Sequence, residues 1–280
     1  MEPIMIHFAE GVIGLPAEFV CQTRDGFDLA AQVGGAAGSP ALLLLQGQAN
    51  SHAWWNGLRS AFESEFQTVT MDYRGTGSSR GPISPWTTES FAADAVEILD
   101  SAGISTAYVY GTSMGGRVAQ MIAAHYPDRV TALVLACTTP GGPNAVARAQ
   151  EVGAQLARAS AAERLKVLHH LFYTPAWPHP PEDSSLLGDD SMTALELAAH
   201  RKASRHHDAW ALLPSITAPT LILHGEDDLM TPVENARLLA DRIPGAGLQV
   251  YPGSRHGFFE EFAQQVTPTV VGFFAGTPAT

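Results

Sequence analysis

The sequence predicts an α/β domain: a mostly parallel central sheet flanked by helices, with an inserted helical cap. Three observations lead there. From Ala41 to Cys137, short apolar runs alternate with stretches of helical spacing, the rhythm of parallel β-α-β units. Between Pro140 and Leu213 that rhythm stops, and an Ala-, Leu-, His- and Arg-rich segment carries no strand-like run. Strand behaviour then returns at Thr220.

The elements follow in order. Glu18–Thr23 and Phe27–Val33 are β-prone runs around Arg24-Asp25-Gly26, which reads as a hairpin turn. Ala41–Leu45 is a continuous apolar run ending in Gln46-Gly47, as expected of a strand buried on both faces. Trp54 to Phe62 has helical spacing, and Phe66–Asp72 is strand-like. A helix is expected from about Thr87 to Ala102, capped by Thr87 or Thr88, with Phe91, Ala95, Ile98 and Leu99 on one face. Strand Ala107–Tyr110, helix Met114–His125 and strand Val130–Cys137 complete the first half. The segment 140–213 reads as two or three helices, near Asn144–Arg158, Ala161–Leu171 and Ser191–His206, with Pro175, Pro178, Pro180 and Pro181 between them. Strand Thr220–Leu223, helix Pro232–Arg242, strand Leu248–Tyr251 and a helix ending near Phe274 follow. The expected division is a core of 1–139 and 214–280 with a cap, or lid, of 140–213.

Composition narrows the class. The 280 residues are 45% hydrophobic and only 16% charged, which demands a sizeable core and excludes disorder over most of the length. A net charge of −12 repels phosphate backbones and anionic bilayers, so neither nucleic acid nor membrane is an expected partner. Two cysteines, Cys21 and Cys137, make neither a disulfide framework nor a zinc site. The first twenty residues carry Glu2 and Glu10 and no Lys or Arg, unlike a signal peptide. The apolar runs fall far short of the ~20 residues that span a bilayer. A soluble, cytoplasmic protein is the expectation.

Chemistry concentrates at three strand ends. Gly111-Thr112-Ser113-Met114-Gly115 lies between a strand and a helix. In a G-x-S-x-G turn the serine sits on a sharp, strained bend, and bulk at either glycine would strike neighbouring backbone. The helix that starts there offers free N–H groups, notably that of Met114, to a developing oxyanion. A serine hydroxyl needs a base, and the base an orienting acid. Downstream, acids stand at Glu226-Asp227-Asp228 after one strand, and His256 stands in Gly253-Ser254-Arg255-His256-Gly257 after the last.

The chain resembles the α/β-hydrolase superfamily, as a member with a helical cap, over about Phe27 to Phe274. Besides the serine elbow, Asp72-Tyr73-Arg74-Gly75-Thr76-Gly77-Ser78-Ser79 is similar to the family's D-x-R-G-x-G-x-S turn. Gly225-Glu226-Asp227-Asp228 with Pro232 resembles G-x-x-D-x-x-x-P. The resemblance thus implies a triad of Ser113, Asp228 and His256. Thr138-Thr139-Pro140 leaves empty the alternative acid site that some members use. Where the family commonly has His-Gly after the strand at Ala41–Leu45, this chain has Gln46-Gly47-Gln48. The resemblance implies oxyanion N–H donors at Met114 and Gln48. The amide of Gln46 is suited to brace the loop, and Gln46 is also a candidate substrate-binding residue.

Other signals are weaker. His169-His170 and His206-His207-Asp208 invite a metal, yet adjacent helical positions do not face one another. Gly75-x-Gly77 has Arg80 where a dinucleotide loop needs glycine, and Gly111-x4-Gly116 is followed by Arg117-Val118 where a P-loop needs Lys and Ser or Thr. Trp54, Trp55, Tyr173, Trp177, Trp210, Phe258 and Phe259 suggest an apolar or aromatic substrate pocket. The expected function is a serine esterase or lactonase of the enol-lactonase kind, acting on a small molecule with no cofactor and no metal. On the same triad a C–C bond hydrolase of β-diketone type or a haloperoxidase-like enzyme is the alternative, and a non-catalytic ligand-binding relative is a third class.

Overall fold

The computed structural model describes residues 16–277, so the acidic opening segment with Glu2 and Glu10 lies outside the described residues. Eight strands form one sheet: β1 (Ala17–Gln22), β2 (Asp28–Gly34), β3 (Ala41–Leu45), β4 (Gln67–Met71), β5 (Ala107–Thr112), β6 (Val130–Ala136), β7 (Thr220–Gly225) and β8 (Gly247–Tyr251). Their order is β1-β2-β4-β3-β5-β6-β7-β8. The hairpin β1–β2 joins β4 antiparallel, and every pairing from β4 to β8 is parallel.

Both faces of this sheet are covered, as the continuous apolar runs require. Leu43 and Leu45 of β3 point to the layer holding α1 (Thr88–Ser101), α2 (Met114–His125) and α6 (Glu234–Arg242). Leu42 and Leu44 point the other way, to the layer holding Trp54, Trp55, α7 (Phe258–Glu261) and α8 (Ala263–Ala275). Period-two alternation therefore assigns each residue of one run to a different core.

Helix ends match their chemistry. Thr87 accepts from Ser90 N while Ser90 reaches back to Thr87 N, a reciprocal cap on α1. Two expectations shift. Trp54–Phe62 forms separate 3₁₀ turns at His52–Trp55 and Arg59–Ala61, because Asn56-Gly57 are poor helix formers at its centre. Between β6 and β7 run α3 (Gln150–Arg158), α4 (Ala161–Phe172) and α5 (Ala194–Arg205), α3 starting six residues later than its spacing predicts. Among the described residues no helix is long and apolar enough to cross a membrane.

A partly buried cluster of three charges ties the turn after β4 to α1 and to the hairpin. Arg74 donates to Asp94 of α1 at 2.8 and 2.6 Å, and to Asp25 of the hairpin turn at 2.6 and 3.0 Å. Removing Asp94 strands half of this charge in a buried place. Asp94→Ala should cost about 3 kcal/mol in urea unfolding.

Two buried histidines give the fold an acid limit. Burial holds His200 down to about 4 and, with the nearby Arg117 charge, His207 down to about 3, from an ordinary 6.5. The unfolded chain binds their protons below about 6.5, whereas the folded chain does not until far lower. Their contribution is complete above 6.5 and is lost as pH falls toward 4. The urea midpoint should therefore fall over that window, and His207→Gln should flatten the fall.

Candidate active site

The candidate residues Ser113, Asp228 and His256 stand beyond the carboxyl ends of parallel strands. Chain leaves β5 at Thr112, turns at Ser113, and enters α2 at Met114. Ser113 has φ 54° and ψ −117°, a conformation non-glycine residues rarely hold, with its N–H fixed on Ala136 O at 2.9 Å. The flanking glycines are required by space. A Cβ on Gly111 would stand 2.4 Å from Gly115 O, and one on Gly115 2.1 Å from Leu45 O and 2.7 Å from Gln46 O. The amino end of α2 thus packs directly on the junction between β3 and its loop.

His256, in the loop after β8, is buried and places Nε2 3.0 Å from Ser113 Oγ. Its Nδ1 lies 2.7 Å from Asp228 Oδ2, in the loop after β7. The other carboxylate oxygen, Oδ1, accepts from Met230 N at 2.8 Å and Thr231 N at 2.9 Å. His224 Nε2 lies 3.3 Å from Oδ2 while donating to Thr231 O at 2.8 Å. Burial alone would raise the Asp228 pKa, but His256 and His224 together hold the carboxyl well below the usual range. Asp228 therefore stays ionised and selects the His256 tautomer that carries hydrogen on Nδ1 and a free lone pair toward the serine.

The loop after β3 faces this relay. Gln46 is fully buried, and its Nε2 donates to Met71 O at 2.7 Å and Asn50 O at 3.3 Å. Its amide ties the loop to β4, so Gln46, a substrate-binding candidate in the sequence, has its amide nitrogen committed to the loop instead. Gln48 is half-buried in the same loop, and Met114 is the first residue of α2. Cys137, buried at the end of β6 with φ 43°, lies near both Ser113 and Asp228, and burial with the Asp228 charge pushes its thiol far up.

The helical insertion is sewn to the histidine loop. His256 N donates to Leu171 O at 3.4 Å and Gly257 N to Phe172 O at 2.8 Å. Arg255 donates to His170 O at 2.5 Å and Tyr173 O at 2.9 Å. Phe172 sets its ring edge-on to His256 at 4.9 Å, and Trp54 packs edge-on to Phe172 at 6.1 Å. Tyr173 stacks on Trp177 at 4.9 Å and donates its hydroxyl to Glu260.

Two aromatic candidates go elsewhere. Phe258 is wholly buried against Tyr251 and Phe259, in the layer under α8. Trp210 lies over Arg242 at 4.9 Å, at the far end of α6 from the Asp228 loop. The paired histidines also separate: His170 meets Arg255, His169 meets His179 O, and His207 meets Thr88. Among the described residues no group of three or more His, Cys, Asp or Glu is arranged to hold a metal. The sequence reads His224 as a structural residue ending a strand, and it does stand near the end of β7, with Asp228 beside it; no motif marks His200, whose partners are backbone groups.

Known proteins bear on this geometry. The family model described as alpha/beta hydrolase fold matches residues 40–263. "Putative carbamate hydrolase RutD" of Caulobacter vibrioides (strain NA1000 / CB15N) is 27% identical over 261 residues, covering 91% of this chain and 97% of its own. A hydrolase from Pseudomonas aeruginosa PA01 superposes with a TM-score of 0.79 at 29% identity, over 92% of this chain and 98% of that one. The enol-lactonase from Burkholderia xenovorans LB400, at 22% identity, TM-score 0.77 and coverage of 91% and 99%, shares the fold. The chain belongs to the alpha/beta hydrolase fold family.

Proposed function

We propose that this protein is a serine hydrolase that cleaves a carboxylic ester or lactone of a small apolar or aromatic molecule through an acyl-enzyme. The observation that supports it best is the continuous relay from Ser113 Oγ through His256 to Asp228, at 3.0 and 2.7 Å. On this reading His256 takes the serine proton as Oγ attacks the carbonyl carbon. The carbonyl electron pair moves to oxygen, where the N–H groups of Met114 and Gln48 receive it. Collapse expels the alcohol, which takes its proton from His256, and water then releases the acid by the same steps in reverse. Asp228 stays an anion throughout and stabilises the imidazolium. The insertion 140–213 serves as the lid; its Phe172 and Tyr173 with Trp177 give it an apolar, aromatic underside, and Trp54 of the core packs against Phe172. No step calls for a metal or an organic cofactor.

Likeness to the RutD proteins brings carbamates into the range worth assaying, since a carbamate carbonyl passes through the same tetrahedral adduct. A panel of esters, lactones, carbamates and β-diketones separates these from C–C bond cleavage by product. Ser113→Ala should lower p-nitrophenyl ester turnover by about 10⁴-fold or more, and a fluorophosphonate should label Ser113 alone. Wild-type turnover in that variant would refute the reading. Asp228→Asn should keep the fold yet lose roughly 10³- to 10⁴-fold in kcat, because an amide stabilises neither the tautomer nor the imidazolium. Steady-state kinetics beside a thermal melt checks it.

A further inference from the structure

The loop carrying Gln48 is held from outside the core. Ala49 has φ 59°, a left-handed conformation costly for a residue with a Cβ. What sustains it comes from the helical insertion. Ala49 N donates to His200 Nδ1 at 3.3 Å, Asp189 N donates to Ala49 O at 3.0 Å, and Gly188 N donates to Asn50 Oδ1 at 3.1 Å. Asn50 Nδ2 in turn donates to Gln48 O at 2.9 Å. Both peptide planes flanking Ala49 are thereby fixed. Among the described residues, the one polar backbone group of Gln48 and Ala49 without a protein acceptor or donor is the Gln48 N–H.

His200 is the side chain in this arrangement. It stands on α5, fully buried, with Tyr73, Trp86 and Phe91 around its ring at 6.3, 5.7 and 5.1 Å. Its Nε2 lies 2.8 Å from Arg74 O, a carbonyl that can only accept, so Nε2 carries the hydrogen. The neutral ring then has a bare lone pair at Nδ1, the acceptor that Ala49 N–H meets. Its burial keeps the ring neutral across the ordinary pH range.

We propose that His200 is a positioning residue that, from the helical insertion, fixes the left-handed turn at Ala49 so that the Gln48 N–H is aimed at the oxyanion formed on Ser113. The proposal rests on the serine-hydrolase reading above. It names a contact that the core does not supply: with glutamine at 46, the loop is braced toward β4 by Gln46 and toward the insertion by His200. A ring that merely filled space would need neither nitrogen.

The test uses the full chain, a p-nitrophenyl ester and a trifluoromethyl ketone. Ser113 Oγ adds to the ketone carbon, its proton passes to His256, and the carbonyl pair becomes an oxyanion in the same hole. His200→Phe, which keeps the ring and loses both hydrogen bonds, should lower kcat about 10- to 100-fold with KM within about twofold, and should weaken the ketone by a like factor. His200→Asn, whose Oδ1 can stand in for Nδ1, should recover most of both. His207→Gln, a buried histidine with no link to the loop, should melt earlier with kcat and ketone affinity unchanged. Unchanged kcat and ketone affinity in folded His200→Phe would overturn the proposal, as would an Asn variant no better than Phe. If the Phe variant does not fold, ¹⁵N-histidine spectra of the wild type decide: an Nε2–H tautomer supports the role, and an Nδ1–H tautomer overturns it. Turnover in Ser113→Ala would instead remove the serine chemistry on which the proposal stands.

Discussion

The close approach of α2 to β3 is the constraint from which the site follows. Gly115 leaves no room for a side chain against the Leu45 and Gln46 carbonyls, so the helix begins directly at the sheet's carboxyl edge. That approach forces the bend at Ser113, whose φ of 54° no helix or strand would tolerate. It lifts the serine hydroxyl clear of the sheet and brings the first helical N–H beside the loop after β3. The strain is bearable because the sheet below is buried on both faces and paired along every parallel edge.

Around that bend, charge is managed by enclosure. Asp228 is buried, yet two backbone N–H groups and two imidazoles converge on its oxygens. A carboxylate so satisfied costs less to bury than its charge implies, and it gives the histidine one tautomer to adopt. The Arg74 cluster with Asp94 and Asp25 plays a comparable part beside it, holding the hairpin and α1 to the turn that follows β4. The buried carboxylates of Asp228 and Asp94 thus each have defined partners.

Much of this was legible in the sequence because the determinants are local. The runs Ala41–Leu45 and Ala107–Tyr110 announce strands, and a threonine at 87 or 88 announces the start of α1. Ser113, Asp228 and His256 stand at strand ends, within short motifs that resemble those of the family, and the structure brings the three side chains together. Other features depend on contacts across the chain. Trp210 and Phe258 are aromatic in a region rich in aromatics, and only tertiary packing sends one to Arg242 and the other under α8. His200 lies 151 residues from Ala49, and a histidine bonded to two backbone groups leaves no pattern in the residue types around it. The shortened α3 reflects a similar limit, since both backbone groups of Val146 bond to the Asn235 side chain of α6.

The segment between β6 and β7 holds the histidine loop through Leu171 and Phe172 and the loop after β3 through Gly188, Asp189 and His200. It is fastened on two sides of the candidate site, by main-chain groups and by the His200 ring. Transplanting this segment from a relative to alter substrate range would therefore disturb both sides at once. Recombination points suited to such grafting lie inside the segment at residues 175–183, between Thr174, bonded to Glu261, and Ser184, bonded to Tyr173.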